Sequence, residues 1–211
     1  MVEYSRYAPS STSAMDPSLM IGAAVFALVA SITPGPNNVL LAASGLTFGF
    51  RRTLPLVLGI EVGFLLLLLA VAVGLGAIFE RLPWLQLALR VVGVTYLLCL
   101  AWSLWRSSAT GGATLDRPLG FAWGAMFQLV NPKGWMMTIS AISAYTLAGS
   151  LYWSSVGMLV AAFFLMGLPS ILLWALFGSA LRTTLANPRQ AQLAGRIMAV
   201  LTALSCVLIV I

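Results

Sequence analysis

The chain has no histidine, two cysteines and only sixteen charged side chains in 211 residues, eleven basic and five acidic. Without histidine, His-ligated zinc, imidazole general bases and Ser-His-Asp triads are excluded. Cys99 and Cys206 are too few for an all-cysteine metal site, and both lie in apolar segments where a thiol behaves as a small hydrophobe. No catalytic constellation is legible; the chain reads as a non-enzyme without metal or cofactor. Charged residues make up 8% of the sequence, against ~25% in soluble domains. A water-facing surface needs more than that to stay dispersed, whereas 61% of this chain is hydrophobic. These absences define an integral membrane protein. The net charge of +6 does not indicate nucleic acid, because the basic residues stand singly between apolar runs and form no patch that tracks phosphates.

What is present is a series of long apolar windows. A bilayer core of ~30 Å takes about 20 helical residues, and on that scale six transmembrane helices are expected. The first covers about 18–47 and is broken at Thr33-Pro34-Gly35-Pro36-Asn37-Asn38. The second, about 54–79, is entered through Pro55 and contains Glu61. The third, about 84–105, carries Trp84 at one end and Trp102 and Trp105 at the other, as an aromatic belt places them. A polar loop at 106–118 follows. The fourth, about 119–147, is broken again at Asn131-Pro132-Lys133-Gly134, the fifth covers about 153–181 and the sixth about 192–211. Residues 1–17 form a polar, Ser-rich tail, and the run from Asp16 into the first span makes Met15 an alternative start. Residues 18–211 are read as one all-α membrane domain.

The halves echo one another. Gln86-Leu87-Ala88-Leu89-Arg90 matches Gln192-Leu193-Ala194-Gly195-Arg196, four of five identical, and the two broken spans correspond through Pro34 or Pro36 and Pro132. Repeat one (18–105) and repeat two (119–211) each hold three spans. An odd number makes the second enter from the opposite side, an inverted-topology repeat. Arg51, Arg52, Arg106, Arg117, Arg182, Arg189 and Arg196 fall on one side, and Arg6, Arg81 and Arg90 on the other. By the positive-inside rule the first side is cytoplasmic.

A break inside the bilayer frees backbone groups that lipid cannot satisfy, so it belongs beside a cavity. Pro34 and Pro36 remove donors, Gly35 permits unusual dihedrals, and Asn37 and Asn38 supply amides. The half-helix restarting near Pro36 offers a positive end to a carboxylate. Lys133 lies about 14 residues, ~20 Å, into the fourth span. There it costs at least ~2.5 kcal/mol unless it faces a cavity or a partner. It is expected to meet a substrate carboxylate or Glu61, and to be a proton-coupling candidate. Glu61, ~10 Å into span two, either binds a substrate ammonium, carries a coupling proton or serves as a structural partner of Lys133. Gln128, Ser140 and Tyr145 are candidates to line the same cavity. Gly59, Gly63, Gly74, Gly76, Gly157, Gly167 and Gly178 are packing positions first and hinges second, and Gly167-Leu168-Pro169 marks a further kink.

Ser31-Ile32-Thr33-Pro34-Gly35-Pro36-Asn37-Asn38, Gly49-Phe50-Arg51-Arg52 and Val130-Asn131-Pro132-Lys133-Gly134-Trp135 together resemble the signatures of the lysine exporter (LysE/RhtB-type) family of bacterial amino-acid exporters. The resemblance runs over nearly the whole chain from Asp16. It implies a multi-pass secondary transporter of the bacterial inner membrane, exporting amino acids or close derivatives by proton antiport. Thr33, Pro34, Gly35, Pro36, Asn37, Asn38, Asn131, Pro132 and Lys133 would then line the substrate path, with Gln128 beside them. Glu61 matches no family pattern. The expected partners are a small amino acid, protons, membrane lipid and a second copy of the chain. A single intramembrane acid favours a neutral substrate over a dibasic one. A passive amino-acid channel and a thiol-redox carrier using Cys99 and Cys206 are the alternative readings.

Overall fold

The computed structural model describes residues 16–110, 118–184 and 188–205, and every regular element among them is helical. Helix α1 (Pro17–Ile32) is capped by Asp16, whose carboxylate accepts from Ser18 N at 2.9 Å. Helix α2 (Pro36–Phe48) follows after a three-residue break, bent 53° from α1. Thr33 is extended (φ −63°, ψ 141°), the conformation that a following proline favours. Pro36 restarts the helix at its first position, where a missing N–H costs nothing.

Gly49, at φ +83°, turns the chain sharply into α3 (Phe50–Ala70). This helix therefore begins earlier than the sequence reading, and Pro55 lies inside it. The carbonyl that Pro55 leaves free belongs to Arg51, in the exposed first turn where water can serve it. The chain then kinks within 71–75, where Gly74 takes φ +102°, and continues as α4 (Gly76–Arg81). Next come α5 (Pro83–Thr110), α6 (Phe121–Val130), α7 (Pro132–Tyr145) and α8 (Tyr152–Ala162). A π turn, Phe163–Gly167, leads to α9 (Leu168–Thr184), and α10 (Pro188–Ser205) closes the described chain. That π turn realises the kink expected at Gly167-Leu168-Pro169: Pro169 clashes with the carbonyl four residues earlier, Leu165, and a widened turn relieves the clash.

The expected loop at 106–118 is corrected in part, because α5 continues through Thr110; residues 111–117 lie outside the described residues. Phe50–Ile78 and Gly149–Thr184 are each long and apolar enough to cross a membrane, and α1 with α2 makes a third such span if the bent pair is one. Val91–Arg106, Phe121–Val130 and Gln192–Leu204 are shorter apolar helices.

Burial is inverted relative to a soluble protein. Leu58, Val62, Leu66, Leu69 and Val73 form an exposed apolar stripe on α3 and its continuation, while Thr53 and Glu61 are buried on the inner side. Helix α2 is the most enclosed element, buried from Asn38 through Gly45. Small residues let it and its neighbours approach closely: a Cβ on Gly178 would collide with the Ala42 carbonyl, joining α9 to α2. Gly124 faces the Leu56 carbonyl at 2.6 Å and Gly63 faces Ala125 Cα at 2.6 Å, measured from the same hypothetical Cβ, joining α6 to α3. Helices α5 and α10, which carry the two Gln-Leu-Ala matches, pack against each other.

The helix ends sort into two groups. Arg182, at the end of α9, reaches over Gly49 beside Arg51 and Arg52. Phe48, Leu104 and Leu119 line one small cavity, which brings the end of α5 and the start of α6 to the same place. Arg196 lies over the Trp105 ring, 5.5 Å from its centroid, adding the first half of α10. At the opposite end Tyr145 meets Gly22 and Phe26, and the Tyr152 hydroxyl donates to the Ala72 carbonyl. Most of the arginines assigned to one side from sequence thus share one end; Arg117 lies outside the described residues.

Candidate functional site

The two breaks meet. A narrow, partly open cavity of about 40 Å³ lies between them, lined by residues of α1, α2, α3, α7 and α9 that include Ser31, Gly35, Asn37, Asn38, Glu61 and Lys133. Its size admits about three ordered waters.

The first break is held by side chains that replace lost helix bonds. Asn38 Nδ2 donates to the Ser31 carbonyl at 2.7 Å and to the Thr33 carbonyl at 2.8 Å. Trp174 Nε1 of α9 donates to the Ile32 carbonyl at 3.1 Å. At the second break Trp135 Nε1 donates to the Leu129 carbonyl at 2.9 Å. These bonds satisfy backbone acceptors that lipid would leave bare.

Lys133 is the only lysine in the chain. Its Nζ crosses from α7 to the first break and donates to the Thr33 carbonyl at 2.8 Å and the Thr33 hydroxyl at 3.0 Å. Gly35 makes this crossing possible: a Cβ there would sit 2.8 Å from Lys133 Cδ. The glycine's need is therefore space, since its backbone is simply extended. Bonds to a charged donor are worth ~1.5–3 kcal/mol each. Two of them roughly offset the ~2.5–3.5 kcal/mol cost of a cation at mid-membrane depth.

Glu61 has no such compensation. It is 5% exposed, and its Oε1 has no hydrogen-bond partner among the described residues. Because α3 starts at Phe50, Glu61 stands eleven residues along the helix, ~17 Å from its start, deeper than the sequence reading placed it. Lys133 and Glu61 share the cavity, yet the ammonium bonds Thr33 rather than the carboxylate.

Asn37 and Gln128 bridge the two broken spans through a reciprocal pair of amide bonds, at 2.9 and 3.2 Å. Gln128 Oε1 also accepts from Asn131 Nδ2 at 3.5 Å, and Asn131 Oδ1 is buried without a partner. Pro34, Pro36 and Pro132 shape the breaks, with Pro34 exposed and Pro36 buried. Ser140 and Tyr145 are not brought to the cavity. Ser140 is exposed, and Tyr145 stacks on Phe26 with ring centroids 5.6 Å apart. Ser140 follows Lys133 by about two helical turns and Tyr145 by about three, too far along α7 to reach the break. Sequence reasoning missed Ser31, Phe64, Met137 and Ile171 in the lining, and the cap from Trp174. Ser31 stood within the quoted motif; the others carry no local signal, being apolar or aromatic residues in apolar helices.

A family model of LysE type translocators matches residues 28–211. The chain belongs to that family, a family of membrane transporters rather than enzymes. A cysteine/O-acetylserine efflux protein of Klebsiella pneumoniae subsp. pneumoniae is 33% identical over 168 residues, covering 78% of this chain and 84% of the relative. One of Salmonella paratyphi A is 32% identical over 174 residues, with the same coverage. One of Escherichia coli O1:K1 is 29% identical over 140 residues, covering 63% of this chain and 68% of its own. No solved structure matches the chain.

Proposed function

We propose that this protein exports a small neutral amino acid, of the size of cysteine or O-acetylserine, across the bacterial inner membrane in exchange for protons. The observation that carries the reading is one cavity lined by a lysine and a glutamate that are not bonded to each other. A zwitterion brings one charge of each sign. Its carboxylate competes with Thr33 for Lys133 and gains the positive end of α2, while its ammonium turns toward Glu61. A dibasic substrate would bring a second cation with no second acid on the cavity lining. Relatives described as cysteine/O-acetylserine efflux proteins support the same size and charge class.

The transport cycle we envisage is alternating access between two inverted three-span repeats. Three observations support it. Pro36 and Pro132 occupy the same first position in the restarted half-helices. Helix irregularities, a kink at Gly74 and a π turn at 163–167, fall in the corresponding second and fifth spans. The helix ends alternate between the arginine-rich end and the opposite one as the chain proceeds. The arginine-rich end is taken as cytoplasmic. A homodimer in lipid is part of this reading, testable by cross-linking in native membranes.

Vesicles preloaded with L-cysteine test the assignment. Lys133→Ala should abolish efflux, and its collapse of an imposed pH gradient, while the protein still inserts. Full efflux from that variant would sink the assignment.

A further inference from the structure

Glu61 is a buried carboxyl with an oxygen, Oε1, that no group among the described residues satisfies. Such a group is costly unless something neutralises or hydrogen-bonds it. We propose that Glu61 is the point at which the substrate's ammonium group and the coupling proton exclude one another, so that each amino acid entering the cavity displaces one proton. This inference rests on the export reading above and assigns its coupling step to one group.

The surroundings of Glu61 fit a primary ammonium. The cavity beside it holds about 40 Å³, room for a compact cationic head in place of a few waters. Ser31 lies on the same wall, its carbonyl already taken by Asn38. Its hydroxyl and the second Glu61 oxygen meet at Gly167. A Cβ on that glycine would sit 3.2 Å from Ser31 Oγ and 3.8 Å from Glu61 Oε2. The π turn ending at Gly167 thus brings α9 close without inserting a side chain between hydroxyl and carboxyl.

Lys133, from α7, is the one other charged side chain on the cavity lining; α1 and α2 contribute Ser31, Asn37 and Asn38, and α9 contributes Ile171. The tyrosines of α7 and α8 are turned elsewhere, Tyr145 onto Phe26 and Tyr152 onto the Ala72 carbonyl. The Lys133 ammonium is held by Thr33. The empty carboxyl is therefore satisfied by a proton and the loaded one by the ammonium. One oxygen pair cannot hold both, and this exclusion converts a proton gradient into export. An N-acylated amine carries no charge and does not compete with the proton.

The test is calorimetric binding of L-cysteine, kept reduced, to the purified full-length protein in detergent, in two buffers of different ionisation enthalpy. Wild type should release up to one proton per ligand on the acid side of the carboxyl's titration, with affinity falling up to tenfold per pH unit there. Glu61→Gln should weaken binding at least tenfold and abolish the pH dependence, with an unchanged melting temperature. Gly167→Ala, which crowds the Ser31 hydroxyl and sets a methyl in contact with Glu61, should weaken binding several-fold while keeping the pH dependence, and it carries the test if the Gln variant does not fold. N-acetylcysteine should fail to compete. Binding without proton release, or wild-type affinity in Glu61→Gln, overturns the shared carboxyl and leaves the export reading standing. Wild type that binds none of L-cysteine, L-alanine, L-serine and O-acetyl-L-serine overturns the export reading and this inference with it.

Discussion

Asn37 and Gln128, 91 residues apart, exchange both of their side-chain amide bonds, one at 2.9 Å and the other at 3.2 Å. The pair ties the restarted half of the first broken span to the last turn of α6, and Gln128 is fully buried. Removing either partner strands a buried amide. Asn37→Ala and Gln128→Ala should each lower thermal stability in detergent by about 1–2 kcal/mol. The double variant should cost less than the sum, with a coupling of about 1 kcal/mol. Strict additivity would show that the pair contributes nothing as a unit.

Glycine contacts separate packing positions from free ones. Gly178→Ala pushes a methyl into the Ala42 carbonyl, and Gly59→Ala pushes one into the Phe121 carbonyl. Each should destabilise by about 1–3 kcal/mol or more and reduce the yield of folded protein. Gly157→Ala meets nothing within 4 Å and should leave both yield and melting temperature near wild type. Equal losses at all three positions would refute the close helix approach.

The cysteines are expected to be dispensable. Cys99 is exposed on the apolar surface of α5, and Cys206 lies outside the described residues. A Cys99→Ala, Cys206→Ala double variant should keep wild-type efflux from vesicles. Loss of efflux would revive the thiol-redox reading.

Asp16 gives the start of α1 a pH dependence. The hydrogen bonds from Ser18 hold its carboxyl below its ordinary value of 3.8. A lowered value means that the charged cap stabilises the helix start above pH 3.8 and loses that contribution as the pH falls through the lowered value. The Leu19 and Met20 amides bond the Asp16 carbonyl. Amide exchange in this first turn should accelerate in strong acid relative to the rest of α1, and Asp16→Ala should be fast at every pH. A wild-type turn insensitive to acid would argue that the cap contributes nothing.

How much was legible in advance differs between the breaks and the bonds. Pro34, Pro36 and Pro132 act on their own backbone: each lacks an N–H and disfavours a helical conformation in the residue before it. The first half-helix therefore restarts at Pro36, as the sequence reading put it, and the second restarts at Pro132, inside the break read over 131–134. Lys133 and Glu61, read as alternative partners of one another or of a substrate, line one cavity while the ammonium bonds Thr33. The Lys133–Thr33 bonds were not legible, nor was the Trp174 cap. Each joins segments at least 100 residues apart, and which atoms meet depends on how each helix is rotated.

That rotation is what an apolar sequence conceals. In water, alternation of polar and apolar residues states which face of a helix turns inward; here the lipid face and the core face of α3 are both leucine-rich, so no periodicity marks the difference. Composition alone determined that this chain belongs in a membrane, because sixteen charges cannot cover 211 residues against water. Its prolines determined where the first and fourth spans break, because their effect is local. Only the tertiary structure decided that Glu61 faces the junction of the breaks with an oxygen unsatisfied among the described residues, that Lys133 reaches Thr33 over Gly35, and that Ser140 stands outside the cavity lining. Those outcomes are set by close packing at glycines and by the demand of each buried polar atom for a partner across the bundle.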